Sequence, residues 1–226
     1  MLRVVALLFG LSFLLASCAS ERPPLTYLSL GDSLAVGVGS SDPTQLGYAP
    51  RYEEALERGT GRDVDLVQLG VSGETSESFL DSQLVRAEEV LRENPDSLVT
   101  ISLGANDLLS VADASALERE RAIEQYGQNL DLILTRLASA SEGRAEISLL
   151  ALYNPIPGSF TDEWTTRLNE ETRSVAERHD ATVADGYATF RGHESEYINL
   201  PEDFHPTDAG YEALARTFEQ ANSGYA

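Results

Sequence analysis

Four short segments of the 226-residue chain carry residue types that can do chemistry together. Gly31-Asp32-Ser33-Leu34 offers a serine hydroxyl, and Leu69-Gly70-Val71-Ser72-Gly73-Glu74-Thr75 offers glycines that let the backbone come close to a ligand. Leu103-Gly104-Ala105-Asn106-Asp107 offers an amide side chain, and Glu202-Asp203-Phe204-His205-Pro206 a histidine with acids two and three residues upstream. A serine hydroxyl is a weak nucleophile at neutral pH and needs a base within hydrogen-bond reach. An imidazole titrating near about 6.5 is the natural one. Attack on an ester carbonyl then leaves negative charge on its oxygen, where each preorganised donor is worth about 3 to 4 kcal/mol. Taken singly, each segment also has a plainer reading: Asp32 and Ser33 in a local turn, the glycines in another, Asn106 as a helix cap, and 202–206 as a solvated acidic loop.

The surrounding pattern says what must position these residues. Short apolar runs at 25–30, 64–69, 98–103, 147–152 and 181–184 suit strands buried on both faces. Between them, helical patterns cover 49–58, 76–92, 116–138, 162–178 and finally 207–221, where Thr207 and Asp208 make an N-terminus. This alternation predicts an α/β fold with a parallel sheet between helix layers, and ligands bind beyond the carboxyl ends of such strands. The first three segments each follow a strand, and the fourth precedes the last helix. No internal repeat or low-complexity tract is present.

In order and spacing, from residue 25 to about 221, the four segments together resemble the GDSL, or SGNH, hydrolase family of serine esterases and lipases. The matching blocks are Gly31-Asp32-Ser33-Leu34, Ser72-Gly73-Glu74-Thr75, Gly104-Ala105-Asn106-Asp107 and His205-Pro206, and Tyr153-Asn154-Pro155 is similar as well. The resemblance implies a flavodoxin-like three-layer α/β/α sandwich with a mostly parallel five-stranded sheet. It implies Ser33 as nucleophile, His205 as general base, and an oxyanion hole from the Ser33 amide, Gly73 and Asn106, with no cofactor. The usual Asp-x-x-His spacing is broken, since Glu202 stands three residues before His205 and Asp203 only two. Glu202 is the first choice for the orienting acid, Asp203 the second if the loop is rotated, and a Ser33-His205 dyad the third reading.

The family accepts acyl lipids, lysophospholipids, thioesters and acetylated sugars, so the resemblance leaves the substrate open. Leu34, Val36, Val38, Leu46 and Tyr48, with Ile156, Phe160 and Trp164 across the site, are candidates to line an apolar acyl cleft, or else to be core. A small or medium acyl ester is the favoured substrate. O-deacetylation of a polysaccharide is the enzymatic alternative, and a non-catalytic lipoprotein binding the envelope is the alternative of another class. His179 reads as a surface helix end and His193 as a loop residue. A zinc site from His193, His205 and a carboxylate matches no helical metal motif in its spacing, so no metal is expected.

At the N-terminus, Met1, Leu2 and Arg3 precede an apolar run from Val4 to Leu15, too short for a comfortable membrane span. Leu15-Ala16-Ser17-Cys18 resembles the lipobox of bacterial lipoproteins, and Cys18 is the single cysteine. Residues 1–17 are therefore expected to be a signal peptide, 18–24 a lipidated tether and 25–226 the hydrolase domain. The alternative is an ordinary secretory peptide cut after Ala19. Either way the mature protein is expected to be exported, and the first way it is membrane-bound through Cys18. The chain has 37 Asp and Glu against 16 basic residues, all arginine, for a net charge of -21. Nucleic acid, which needs a basic face, is excluded as a partner.

Overall fold

The computed structural model describes residues 23–158 and 161–223. The expected signal peptide, Cys18 and most of the expected tether lie outside the described residues. The strands are β1 Leu25–Gly31, β2 Val64–Gln68, β3 Leu98–Ser102, β4 Glu146–Ala151 and β5 Thr182–Asp185. The helices are α1 Ser33–Val36, α2 Pro43–Leu46, α3 Tyr48–Thr60, α4 Ser76–Asp81, α5 Gln83–Glu93, α6 Ala105–Leu109, α7 Ala116–Ala140, α8 Thr161–Arg178, α9 Gly186–Phe190, α10 Glu194–Tyr197 and α11 Asp208–Ala221.

The five strands form one sheet in the order β2-β1-β3-β4-β5, with every neighbouring pair parallel. Central β3 is buried along its whole length, and β1 nearly so, as continuous apolar runs require, whereas the edge strands β2 and β5 are partly open. The polar residues inside the sheet are satisfied: the Tyr27 and Thr100 hydroxyls lie 2.9 Å apart, and Ser148 donates to Asn222 at 2.7 Å. Helices α3 and α11 pack together as one layer, with Phe218 stacked on Tyr48, and α5, α7 and α8 pack side by side as the other. The fold is the three-layer α/β sandwich that the alternation predicts.

In this strand order the chain reverses direction across the sheet between β1 and β3, and the crevice beyond their carboxyl ends is where such folds bind ligands. The turn out of β1 is tight. Gly31 has φ +125°, and a Cβ there would meet the Ser102 carbonyl oxygen of β3 at 1.9 Å.

The pattern over 76–92 predicts one helix, and the structure has two. The chain breaks at Ser82, which closes α4 and opens α5 with φ −103° and ψ −81°. The break lets the Ser82 hydroxyl donate to the Glu74 carboxylate at 2.5 Å and directs Gln83 inward, where it is buried. The five shortest helices went unread, because four or five residues are too few turns to show a 3.6-residue period.

Candidate active site

Ser33 is the first residue of α1, directly beyond β1. Asp32 caps that short helix, its Oδ1 accepting the Leu34 N–H at 3.0 Å. His205 comes from the far end of the chain, in the segment between α10 and α11. Asn199 holds that segment, its side-chain amide donating to the carbonyls of Gly39, His205 and Pro206 at 3.0 to 3.2 Å. Asp208 ties the start of α11 to Ser41, accepting from its amide at 2.8 Å and its hydroxyl at 2.6 Å.

These constraints bring His205 Nε2 to 2.9 Å from Ser33 Oγ, and its Nδ1 to 2.6 Å from Asp203 Oδ1. The same Asp203 oxygen accepts the His205 backbone N–H at 3.2 Å. An ionised carboxylate only accepts, so Nδ1 carries the ring proton and Nε2 is left free to receive the serine's. Partial burial pushes the Asp203 carboxyl upward, but the two hydrogen bonds and the charge of His205 together outweigh it and hold it below the usual range. The first choice of Glu202 as the acid facing His205 is corrected: Glu202 is exposed, and its neighbour Asp203 makes the contact. An aspartate two residues upstream closes a small ring through both the amide and Nδ1 of the histidine, a geometry the shorter side chain reaches.

Ser33, Gly73 and Asn106 line one cavity with His205. Gly73 stands at φ +84°, in the loop after β2. Asn106 lies in α6, after β3, and donates one side-chain N–H to the Glu74 carbonyl at 2.9 Å, which fixes the amide group. Behind it lies a network that sequence reasoning missed. The buried Glu74 carboxylate accepts from Ser78, from Ser82 at 2.5 Å and from Gln83 at 2.8 Å. Gln83 in turn accepts the Gly31 N–H at 2.9 Å and donates to the Gly31 carbonyl at 2.7 Å. Asp107 accepts the Ser76 amide at 3.0 Å and its hydroxyl at 2.5 Å, so the loops carrying Gly73 and Asn106 are stitched together. Only the neighbourhood of Asn106 in sequence could have flagged Asp107, and nothing flagged Gln83.

The cavity has a volume of about 340 Å³. Its apolar wall differs in part from the expected one. Leu34 and Trp164 line it, but Tyr48 is fully buried core, and Val36, Val38, Leu46 and Ile156 are absent from the lining. Phe160 lies outside the described residues. In their place stand Leu108, Leu109 and Ala112, from α6 and the turn after it, with Leu152, Pro155 and Phe204. Arg119 also borders the cavity, stacked over Trp164 at 5.5 Å and donating to the carbonyls of Val111 and Ala112. His193 stacks on Tyr197, and His179 Nε2 lies 3.1 Å from Asp131. Among the described residues, no group of three His, Cys, Asp or Glu is arranged to hold a metal ion.

A serine whose proton can pass to a carboxylate-oriented histidine, above the crossover of a parallel sheet and beside amide donors, is the apparatus of an α/β serine hydrolase. The GDSL-like Lipase/Acylhydrolase family model matches residues 29–213. The spore germination lipase LipC of Bacillus licheniformis is 30% identical over 215 residues, covering 88% of this chain and 97% of that protein. Among solved structures, the lipase Lip_vut3 from a goat rumen metagenome superposes with a TM-score of 0.77 at 27% identity, over 88% of this chain and 97% of that one. The acetylxylan esterase Axe2 of Geobacillus stearothermophilus shares the fold, with a TM-score of 0.69 at 19% identity over 87% and 93% of the chains. The chain belongs to the GDSL-like lipase/acylhydrolase family, and it is a serine-type carboxylic-ester hydrolase.

Proposed function

We propose that Ser33 attacks the ester carbonyl, that His205 takes its proton and returns it to the leaving alcohol, and that Asp203 holds the imidazole. The Ser33 and Gly73 amides and the second side-chain N–H of Asn106 hold the oxyanion, and water then releases the acid by the same path. The observation that carries this reading is the continuous Asp203–His205–Ser33 hydrogen-bonded chain at the cavity wall. The substrate is a small or medium acyl ester, a lysophospholipid among the options. Leu108, Leu109, Ala112 and Trp164 support it, because an apolar wall of this extent gains little from an acetyl group alone.

The enzyme is exported and held at a membrane by lipid on Cys18, a reading that rests on Leu15-Ala16-Ser17-Cys18. Pro23 and Pro24, whose carbonyls accept from Arg62, lie at the amino end of β1, so such an anchor attaches at the end of the sheet away from the cavity. Incorporation of a labelled fatty acid, lost in Cys18→Ser, is the expected result, and label retained in that variant refutes the anchor.

Hydrolysis of p-nitrophenyl acetate, butyrate and octanoate by the full chain in detergent tests the reaction. Wild type turns over butyrate and octanoate with higher kcat/KM than acetate, and Ser33→Ala loses activity and fluorophosphonate labelling together. Turnover confined to acetate favours the polysaccharide O-acetyl esterase instead. A folded wild-type protein that neither turns over nor labels removes the mechanism.

A further inference from the structure

Asp32 is a fully buried carboxyl beside the nucleophile, and the mechanism above gives it no task beyond capping α1. Its Oδ1 accepts the Leu34 N–H at 3.0 Å and the Ser102 hydroxyl at 3.2 Å, and its backbone N–H donates to the Ser102 carbonyl at 2.9 Å. Oδ2 is buried and, among the described residues, has no hydrogen-bond partner. An acid placed only to cap four residues has no reason to leave an oxygen stranded in the protein interior, where an unpaired polar atom is costly. A serine caps as well without that cost.

The groups that face Asp32 electrostatically come from every side: Tyr48 of α3, Tyr126 of α7, Tyr153 after β4, Tyr211 of α11, and His205. Asp203 lies beyond His205 and shares Tyr153 and Tyr211 as neighbours. Burial holds the four phenols above their ordinary range, so they stay neutral, and among these groups His205 is the one that becomes a cation. It does so at one moment. As Ser33 Oγ bonds to the ester carbon, its O–H bond breaks, the proton moves to Nε2, and the carbonyl π pair goes to the oxygen, leaving imidazolium and oxyanion.

We propose that Asp32 is a positioning residue acting through His205, a second carboxyl beneath the nucleophile that must be ionised for His205 to accept the serine proton at full rate. Asp203 sets the ring's tautomer through a hydrogen bond. Asp32, with no bond to the ring, acts by charge alone across the low-dielectric floor of the site. The stranded oxygen is what leaves that charge unscreened. Burial first, opposed by the Leu34 and Ser102 bonds and by His205, lifts the carboxyl to about 7, so it ionises within the working range. The reactive form then has both His205 and Asp32 deprotonated, and the acidic limb of the rate profile reports two protons that belong to the pair.

The inference rests on Ser33 and His205 performing the chemistry, and Ser33→Ala is the arm that separates the two failures. The experiment is the pH dependence, from 5 to 9, of fluorophosphonate labelling at Ser33 and of kcat/KM for p-nitrophenyl butyrate, in the full chain. Wild type should show a two-proton ascending limb. Asp32→Asn, which keeps the helix cap, should show a one-proton limb and be slower by roughly ten- to a hundredfold at pH 8.5, the deficit closing toward pH 5.5 where the wild-type carboxyl is itself neutral. Ser102→Ala, which removes one donor to Oδ1, should move the limb to higher pH by about half a unit. A deficit in Asp32→Asn that is the same at every pH marks a merely structural role and overturns the proposal. If that variant does not fold, a one-proton wild-type limb that Ser102→Ala leaves unmoved overturns it equally. Turnover and labelling that survive Ser33→Ala sink the underlying mechanism instead.

Discussion

Glu202 and Asp203 are adjacent carboxylates, and what separates them is reach. Asp203 Oδ1 sits 2.6 Å from His205 Nδ1, while Glu202 points to solvent. Their variants should therefore part company. Asp203→Asn replaces the anionic acceptor that fixes the tautomer with a neutral amide that can present its N–H to Nδ1, and should cost up to about ten-thousand-fold in kcat, by analogy with the triad acid of serine proteases. Glu202→Gln should stay within about threefold, as expected of a solvated surface charge. Steady-state kinetics on one ester checks both, and a larger loss in Glu202→Gln would reverse the assignment. Sequence spacing ranked the two acids wrongly because it counts residues, whereas the ring that Asp203 closes depends on the φ and ψ of Phe204 and His205. Ser33, Gly73, Asn106 and His205 were legible because their types and their positions, beyond strands or before the last helix, limit what they can reach. Asp32 was visible as a turn residue and as part of the Gly31-Asp32-Ser33-Leu34 block but not as a buried carboxyl, since burial is a property of the packed molecule.

At the scale of elements, the five strands and the long helices could be read to within a few residues because apolar runs and 3.6-residue periods report directly on which faces are covered. The break at Ser82 could not, since the partners that cause it are distant: Glu74 eight residues back and Gly31 fifty-two residues from Gln83. Gln83 joins α5 to the exit of β1 and to the loop that holds Asn106. Replacing it by the similarly shaped methionine strands the buried Gly31 N–H and removes a donor from a buried carboxylate. Each such loss costs about 1 to 3 kcal/mol, so Gln83→Met should lower the unfolding free energy by about 2 to 5 kcal/mol, measured by denaturant titration. It should also reduce kcat more than it raises KM, because Asn106 is held through the Glu74 carbonyl and, in the proposed mechanism, donates to the developing oxyanion. A stable variant with unchanged kcat would show that the two loops position Asn106 without it.

For the molecule as a whole, the governing quantity is a net charge of -21 in a chain without lysine. Many of the described arginines pair with acids, often between exposed partners such as Arg86 with Glu89 and Arg58 with Glu54, which stabilise little. Glu88 is the exception. It is nearly buried and is met by both Arg92 and Arg136, whose bonds outweigh its burial and hold it below the usual range. The remaining acids repel one another across the surface. Salt shortens the range of that repulsion from about 10 Å at 0.1 M to about 3 Å at 1 M while weakening exposed pairs that contribute little anyway. The thermal midpoint should therefore rise by several degrees, about 5 °C, between 0.05 and 1 M sodium chloride. A neutral osmolyte at matched osmolality provides the control for general exclusion from the surface. A midpoint that stays flat or falls would mean that the arginine pairs outweigh the repulsion. The reacting groups have a different dependence. They sit in an apolar cavity, so kcat/KM for an uncharged ester should change little over the same range, whereas an anionic ester, repelled by the protein's field at low salt, should gain. Measuring both esters beside the midpoint separates charge that governs the fold from charge that governs approach to the site.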